Sequence, residues 1–120
     1  MTKQQHTTLT ESQLLDFIVE TIDDIKAQDI TTLEVDHLTE MFEHMVIATA
    51  TSKQHARSIS RHLVEEAKSK NIHMVGVEGD DTGEWVLVDF GGTIAHIMTE
   101  EMRKFYELEK LWGIPKEDSK

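Results

Sequence analysis

The sequence predicts one α/β domain: a mixed sheet carrying helices, in the order α-β-β-α-β-β-β-α. Three observations lead there. The chain has 120 residues, enough for one ordinary domain and short for two. Apolar residues recur at helical spacing in three stretches, and short apolar or β-branched runs lie between them. Near the C-terminal end two such runs are separated by Gly91-Gly92 alone, a hairpin connection. Helices that alternate with strands, closed by a hairpin, make a sheet of mixed direction. Apolar residues are 38% of the chain, above the range of disordered sequences, so a core is available.

Residues 1–9 read as a flexible tail, 10–113 as the domain and 114–120 as a second tail. Thr10 opens the first helix, with Gln13 at the spacing of a capping box. Leu14, Ile18, Ile22 and Ile25 form its stripe, widened by Leu15 and Phe17, and the helix is expected to end near residues 27–28. Residues 30–35 read as a strand, 36–44 as an acidic connection and 45–50 as a buried strand. Thr51 or Ser52 caps the second helix, whose stripe is Ala56, Ile59, Leu63 and Ala67. Lys68 and Lys70 suit its C-terminal end, and Asn71 suits the left-handed stop. Strands at 72–77, 85–90 and 93–98 follow, the first two joined by the turn Gly79-Asp80-Asp81-Thr82-Gly83. Thr99 caps a last helix with Glu100 and Glu101 in its first turn, as the helix dipole prefers. Met102, Phe105, Leu108, Leu111 and Trp112 are expected to face inward, with Gly113 as the stop.

Several classes of function drop out. No run of eighteen apolar residues offers a membrane span. The opening MTKQQHTTLTESQ is polar and lacks an Arg-rich transit segment. With no Cys there is no disulfide, thiolate catalysis or Cys-based zinc site. The expectation is a cytoplasmic protein. Twenty-three acids against twelve bases give a net charge of −11, which repels phosphate backbones and favours a basic protein partner.

The distribution of charge is sharper than its sum. No Lys or Arg lies between Ala27 and Ser52 or between Asn71 and Met102, the stretches that hold every predicted strand. Asp29, Glu34, Asp36, Glu40, Glu43, Glu78, Asp80, Asp81, Glu84 and Asp89 lie there instead. Period-two alternation sets Trp85, Leu87 and Asp89 on one face of their strand and Val86, Val88 and Phe90 on the other. Across the turn, Ile94, His96 and Met98 share a face. An apolar and aromatic face rimmed by acids has the composition of a protein interface. The plainer reading is that Trp85 packs in the core.

No catalytic, cofactor or metal set emerges. His55 and His62 share a helix face but lack a third ligand, and there is no HExxH. The pairs Asp23-Asp24, Asp80-Asp81 and Glu100-Glu101 do not share a site. There is no nucleophile elbow, Walker loop or dinucleotide fingerprint. Lys53, Arg57 and Arg61 recur every four residues as a basic stripe. It reads either as a solvated face or as an edge toward RNA or an acidic partner.

Three segments, VIATATSKQHARSIS, GVEGDDTGEWVLVDFGGTIAHIM and EEMRKFYELEKLWG, resemble the ribosomal silencing factor (iojap, RsfS) family in fixed order. The resemblance runs from about residue 14 to 113. Asp89 and His96 match the family pattern. The chain departs from it at Phe42, Glu43 and Ala50, where Thr, Asp and Gly are usual, and at Gly92, often Asp. The resemblance implies a nucleotidyltransferase-like fold without its catalytic residues. It implies binding to the large ribosomal subunit through its fourteenth protein, which blocks the small subunit and represses translation in starvation or stationary phase. It also implies a homodimer when free, and no enzyme activity, cofactor, DNA or membrane. Contact with ribosomal RNA would fall to Lys53, Arg57 and Arg61. The expected partner-binding residues are Trp85, Asp89, His96 and Met98, supported by Glu78 and Tyr106. The alternative is a nucleotidyltransferase-like enzyme or nucleotide-binding protein with Asp89 and Glu78 on magnesium. A third reading is an adaptor for another basic protein.

Overall fold

The computed structural model describes residues 8–107 and Lys110. Its elements are α1 (Glu11–Asp24), β1 (Gln28–Glu34), β2 (His44–Ala50), α2 (Lys53–Ser69), β3 (Gly76–Glu78), β4 (Trp85–Asp89), β5 (Thr93–Thr99) and α3 (Glu100–Tyr106). The order is the expected one. The five strands form one sheet in the order β1-β2-β5-β4-β3. β2 and β5 run parallel, and every other neighbouring pair is antiparallel.

The caps sit where residue chemistry places them. Thr10 Oγ1 accepts from Gln13 N–H at 3.0 Å while the Gln13 side chain accepts from Thr10 N–H at 3.0 Å, which closes the box on α1. Ser52 Oγ accepts from His55 N–H at 3.0 Å, so Ser52 and not Thr51 starts α2. Asn71 takes the left-handed conformation just past Lys70, and Ile72 N–H donates back to the Ala67 carbonyl. Thr99 caps α3.

α1 and α2 cover one face of the sheet. Ile18, Ile22, Ala56, Ile59, Leu63 and Ala67 pack there on Val46, Ala48, Ala50, Val86, Val88, Phe90, Ala95 and Ile97. The alternation read on β4 therefore holds, with Val86 and Val88 buried beneath the helices. A second, smaller cluster lies on the other face: Leu33, Val35, Met45, Ile47 and Met98, with Phe42, Trp85 and Met102 against it.

Three expectations are corrected. α1 stops at Asp24 rather than near 27–28, because Lys26 turns to positive φ and Ala27 N–H bonds to the Ile22 carbonyl. Residues 72–75 are not a strand. Ile72 is used to close the end of α2, and Val75 contributes a single ladder-like bond to Asp89 O, so β3 starts at Gly76. α3 ends at Tyr106, where Glu107 is left-handed, and Phe105 points outward at 76% exposure instead of inward. Leu108, Leu111, Trp112 and Gly113, like both expected tails apart from residues 8 and 9, lie outside the described residues.

Gly79 is required where β3 turns toward β4. Its φ is +86°, and a Cβ there would meet the Trp85 carbonyl oxygen at 2.1 Å. Gly79→Ala is expected to cost about 2 kcal/mol or more and to displace the start of β4. Urea unfolding checks this, and a midpoint within error of the parent chain would refute it.

Candidate functional site

The sheet face away from α1 and α2 is laid out in rows by strand register. Glu78, Leu87, His96, Ile47 and Thr31 form one row across all five strands. Gly76, Asp89, Ile94, Met45 and Leu33 form the next on one side. Trp85, Met98 and Thr49 form the next on the other. The five expected partner-binding residues that lie on strands are thus on one surface. The sixth, Tyr106, reaches it from α3, with its ring centroid 4.9 Å from that of Trp85.

Trp85 is neither free nor core. It is partly exposed, leans on the smaller cluster, and donates its Nε1–H to His96 Nδ1 at 3.0 Å. His96 is buried, and burial pushes its imidazole down from the ordinary 6.5 to about 4. The ring is neutral, consistent with an Nδ1 that accepts. Asp89 is partly exposed, and its Oδ1 accepts from Gly91 N–H at 2.8 Å, which fixes the hairpin turn. Glu78 is exposed on the edge strand. Met98, expected as a contact, has no exposed surface and serves as the floor of the face beneath Trp85 and Met102.

α3 closes one end of this face. Arg103 donates to the Asp29 carbonyl and to Thr49 Oγ1 and Thr31 Oγ1, at 2.9 and 3.1 Å for the hydroxyls. Those bonds tie α3 to β1 and β2 and so hold Tyr106 over Trp85. At the other end stand Leu38 and Met41, 48% and 81% exposed, in the connection that carries Phe42. Exposed apolar residues thus stand at both ends of the face, with Glu78 and Asp89 on its strands.

The pKa of His96 has a consequence for stability. Between about pH 6.5 and 4 the unfolded chain binds a proton at His96 that the folded chain refuses. Stability therefore rises with pH through this window and is lost as pH falls. The loss attributable to His96 is expected to approach roughly 3 kcal/mol at pH 4. The check is the unfolding free energy of the parent chain minus that of His96→Asn at pH 7 and pH 4. A difference that does not change with pH would contradict it.

Sequence reasoning missed one grouping. Glu11, Glu43 and His44 offer ligand-type atoms within 4.8 Å of one another. Glu11 Oε1 lies 3.0 Å from His44 Nδ1 and accepts from Thr93 Oγ1 at 3.2 Å, so α1 is pinned to the starts of the parallel strands β2 and β5. The Glu11 carboxylate beside Glu43 holds the Glu43 carboxyl above its usual range. Gly92 makes room: a Cβ there would lie 2.9 Å from Glu11 Oε2. Glu11 is 33 residues from His44, which adjoins Glu43, and no spacing rule joins them. The other His pair has structural roles. His55 Nδ1 accepts from Thr51 N–H at 2.9 Å, and its Nε2 lies 2.7 Å from the Ile25 carbonyl, while His62 faces Asp24 at 4.0 Å.

The basic stripe is partly used within the chain. Arg57 donates to the carbonyls of Asp80, Asp81 and Thr82 at 2.9–3.2 Å, and Lys53 pairs with Glu84 at 3.4 Å. Both hold the β3–β4 turn, and Arg61 is exposed. Asp89 and Glu78 do not belong to any group of three or more metal-ligating side chains among the described residues.

Comparison with known proteins agrees with this architecture. The family described as Ribosomal silencing factor during starvation matches residues 8–120. A Chromobacterium violaceum protein named Ribosomal silencing factor RsfS is 37% identical over 95 residues, 79% of this chain and 78% of its own length. A mouse protein named Mitochondrial assembly of ribosomal large subunit protein 1 is 33% identical over 103 residues, 83% of this chain and 45% of its own. A crystal structure of a Chromobacterium violaceum protein superposes with a TM-score of 0.86 at 33% identity, covering 90% of each chain.

Proposed function

The chain belongs to the ribosomal silencing factor family, and on that premise we propose that it binds the large ribosomal subunit through the fourteenth large-subunit protein. There it sterically blocks association with the small subunit and so represses translation in starvation or stationary phase. The observation that supports this reading is the sheet face away from α1 and α2: an aromatic anchor, Trp85, partly exposed over a buried apolar floor, with Glu78 and Asp89 among its acids. Ribosomal proteins are mostly basic, and a negative surface steers such a partner and disfavours bare phosphate. Trp85, Asp89, His96, Glu78 and Tyr106 make the contacts, and Met98 supports them from below. The protein acts by occupying a surface in the cytosol, with no turnover and no cofactor. Contact with ribosomal RNA falls to Arg61 at most, since Lys53 and Arg57 are engaged within the chain.

Capture from a bacterial lysate on the immobilised chain tests the partner. Free large subunits should be retained and joined ribosomes should not. Retention of an unrelated basic protein, without ribosomal subunits, would favour the adaptor reading instead.

A further inference from the structure

The buried ring of His96 carries a polar atom that no described residue engages. His96 occupies the middle of the sheet face away from α1 and α2, with Ile47 and Leu87 opposite it in register and Ile94 and Met98 on either side along β5. It is 7% exposed. Trp85 Nε1–H donates to Nδ1, so the lone pair on that nitrogen is taken. A neutral imidazole then carries its proton on Nε2. That Nε2 is buried and has no hydrogen-bond partner among the described residues. Buried donors are almost always paired, and one left unpaired at a candidate interface calls for a reason.

We infer that His96 Nε2–H is a specificity-determining donor that recognises a carbonyl oxygen of the bound partner. The inference rests on the proposed partner-binding role of this face and adds the chemistry of what the face reads. A carbonyl is the acceptor that fits. Glu78 stands at one end of the row that holds His96, and Arg103, bonded to Thr31, stands at the other, so the surroundings of His96 favour a neutral acceptor over a charged one. Trp85, whose ring centroid lies 5.9 Å from that of His96, is only partly buried, and Tyr106 beside it is 47% exposed. Docking that displaces the Tyr106 side chain, with Trp85 still bonded to Nδ1, opens Nε2 to the partner. An apolar face alone binds many surfaces, whereas a buried donor penalises any partner that leaves it unpaired.

Two substitutions separate this role from a merely structural one. His96→Gln places an amide donor near the Nε2 position and loses the acceptor for Trp85. His96→Asn keeps an acceptor near Nδ1 for Trp85 and loses the distal donor. Affinity for purified large subunits is measured by sedimentation, with circular dichroism as the check on folding. His96→Asn should bind roughly ten- to a hundredfold more weakly than the parent chain. His96→Gln should stay within about threefold of it. The reverse order, or equal affinities for the two variants, overturns the inference and leaves His96 as a support for Trp85. Should either variant fail to fold, nitrogen-15 spectra of His96 in the parent chain decide. The Nε2–H signal should shift and become protected from exchange when the isolated fourteenth large-subunit protein is added, and an unmoved signal overturns the inference. If the parent chain binds neither large subunits nor that protein, the proposed function falls and this inference falls with it. A failure confined to the variants or to the Nε2 signal leaves the proposed function standing.

Discussion

Trp85→Ala is expected to abolish binding to the large subunit while leaving the chain folded. Trp85 combines the features of an interface anchor: a large aromatic surface, partial exposure, an apolar floor of Met98 and Ile47, and a fixed orientation through His96 Nδ1. Truncating such an anchor costs at least about 2 kcal/mol of binding, roughly thirtyfold or more in affinity. The cost in stability should be smaller than the approximately 3–5 kcal/mol of a fully buried Trp, since this one sits at the rim of the smaller cluster. Sedimentation with large subunits and urea unfolding measure the two effects separately. A variant that unfolds, or that binds as well as the parent chain, would show that Trp85 is a packing residue and would remove the anchor from the account.

The opposite separation is expected at Leu63. This residue lies at the centre of the α2 stripe, is fully buried, and packs with Ile59, Ala67, Val88 and Ile97 between helix and sheet. Leu63→Ala removes buried methyl groups and leaves a cavity, which costs about 2–5 kcal/mol. For a domain of this size that is a large part of the total stability, with a fall in Tm of roughly 10–15 °C. Calorimetry reads the fall. Affinity for the large subunit at a temperature where the variant is still folded should be unchanged, because Leu63 is on the covered side of the sheet. A Tm within a few degrees of the parent, or a loss of affinity in the folded variant, would contradict the division of the sheet into a structural face and a binding face.

Which residues of β4 and β5 share a face was legible in the sequence because a strand has a period of two and a two-residue turn fixes register. Once Gly91-Gly92 is taken as the turn, Trp85 stands opposite Met98, Leu87 opposite His96 and Asp89 opposite Ile94, as the structure has them. The caps at Thr10 and Thr99 were legible for a similar reason, since each is a contact within three residues, and the choice between Thr51 and Ser52 fell to Ser52. Strand order was not. The insertion of β5 between β2 and β4, and the parallel pairing of β2 with β5, depend on contacts across more than forty residues. The Glu11–His44–Thr93 cluster was invisible on the same ground. Phe105 misled because helical periodicity finds a stripe without saying where the helix stops. Glu107 stops α3 one residue past Tyr106, before Phe105 can find a partner surface on the sheet. Within the site, Tyr106 beside Trp85 depends on where Arg103 anchors α3, and that anchor lies on strands more than fifty residues away.

Exposed acids on the strands and internally paired bases on α2 bear on the same point. Lys53 and Arg57 brace the β3–β4 turn that leads into Trp85, so these two bases of α2 support the geometry of the face, while Glu78 and Asp89 lie on its strands and Arg103 at its α3 end. Steering of a basic partner should then weaken as salt rises, through the on-rate more than through the contacts made at Trp85.

The central claim is occlusion of subunit joining, and sucrose-gradient sedimentation of purified ribosomal subunits tests it most directly. Small and large subunits are mixed with and without the protein at fixed magnesium and salt. The joined-ribosome peak should shrink as protein is added, and the protein should travel with the large subunit. An unchanged joined peak with the protein left at the top of the gradient would contradict it.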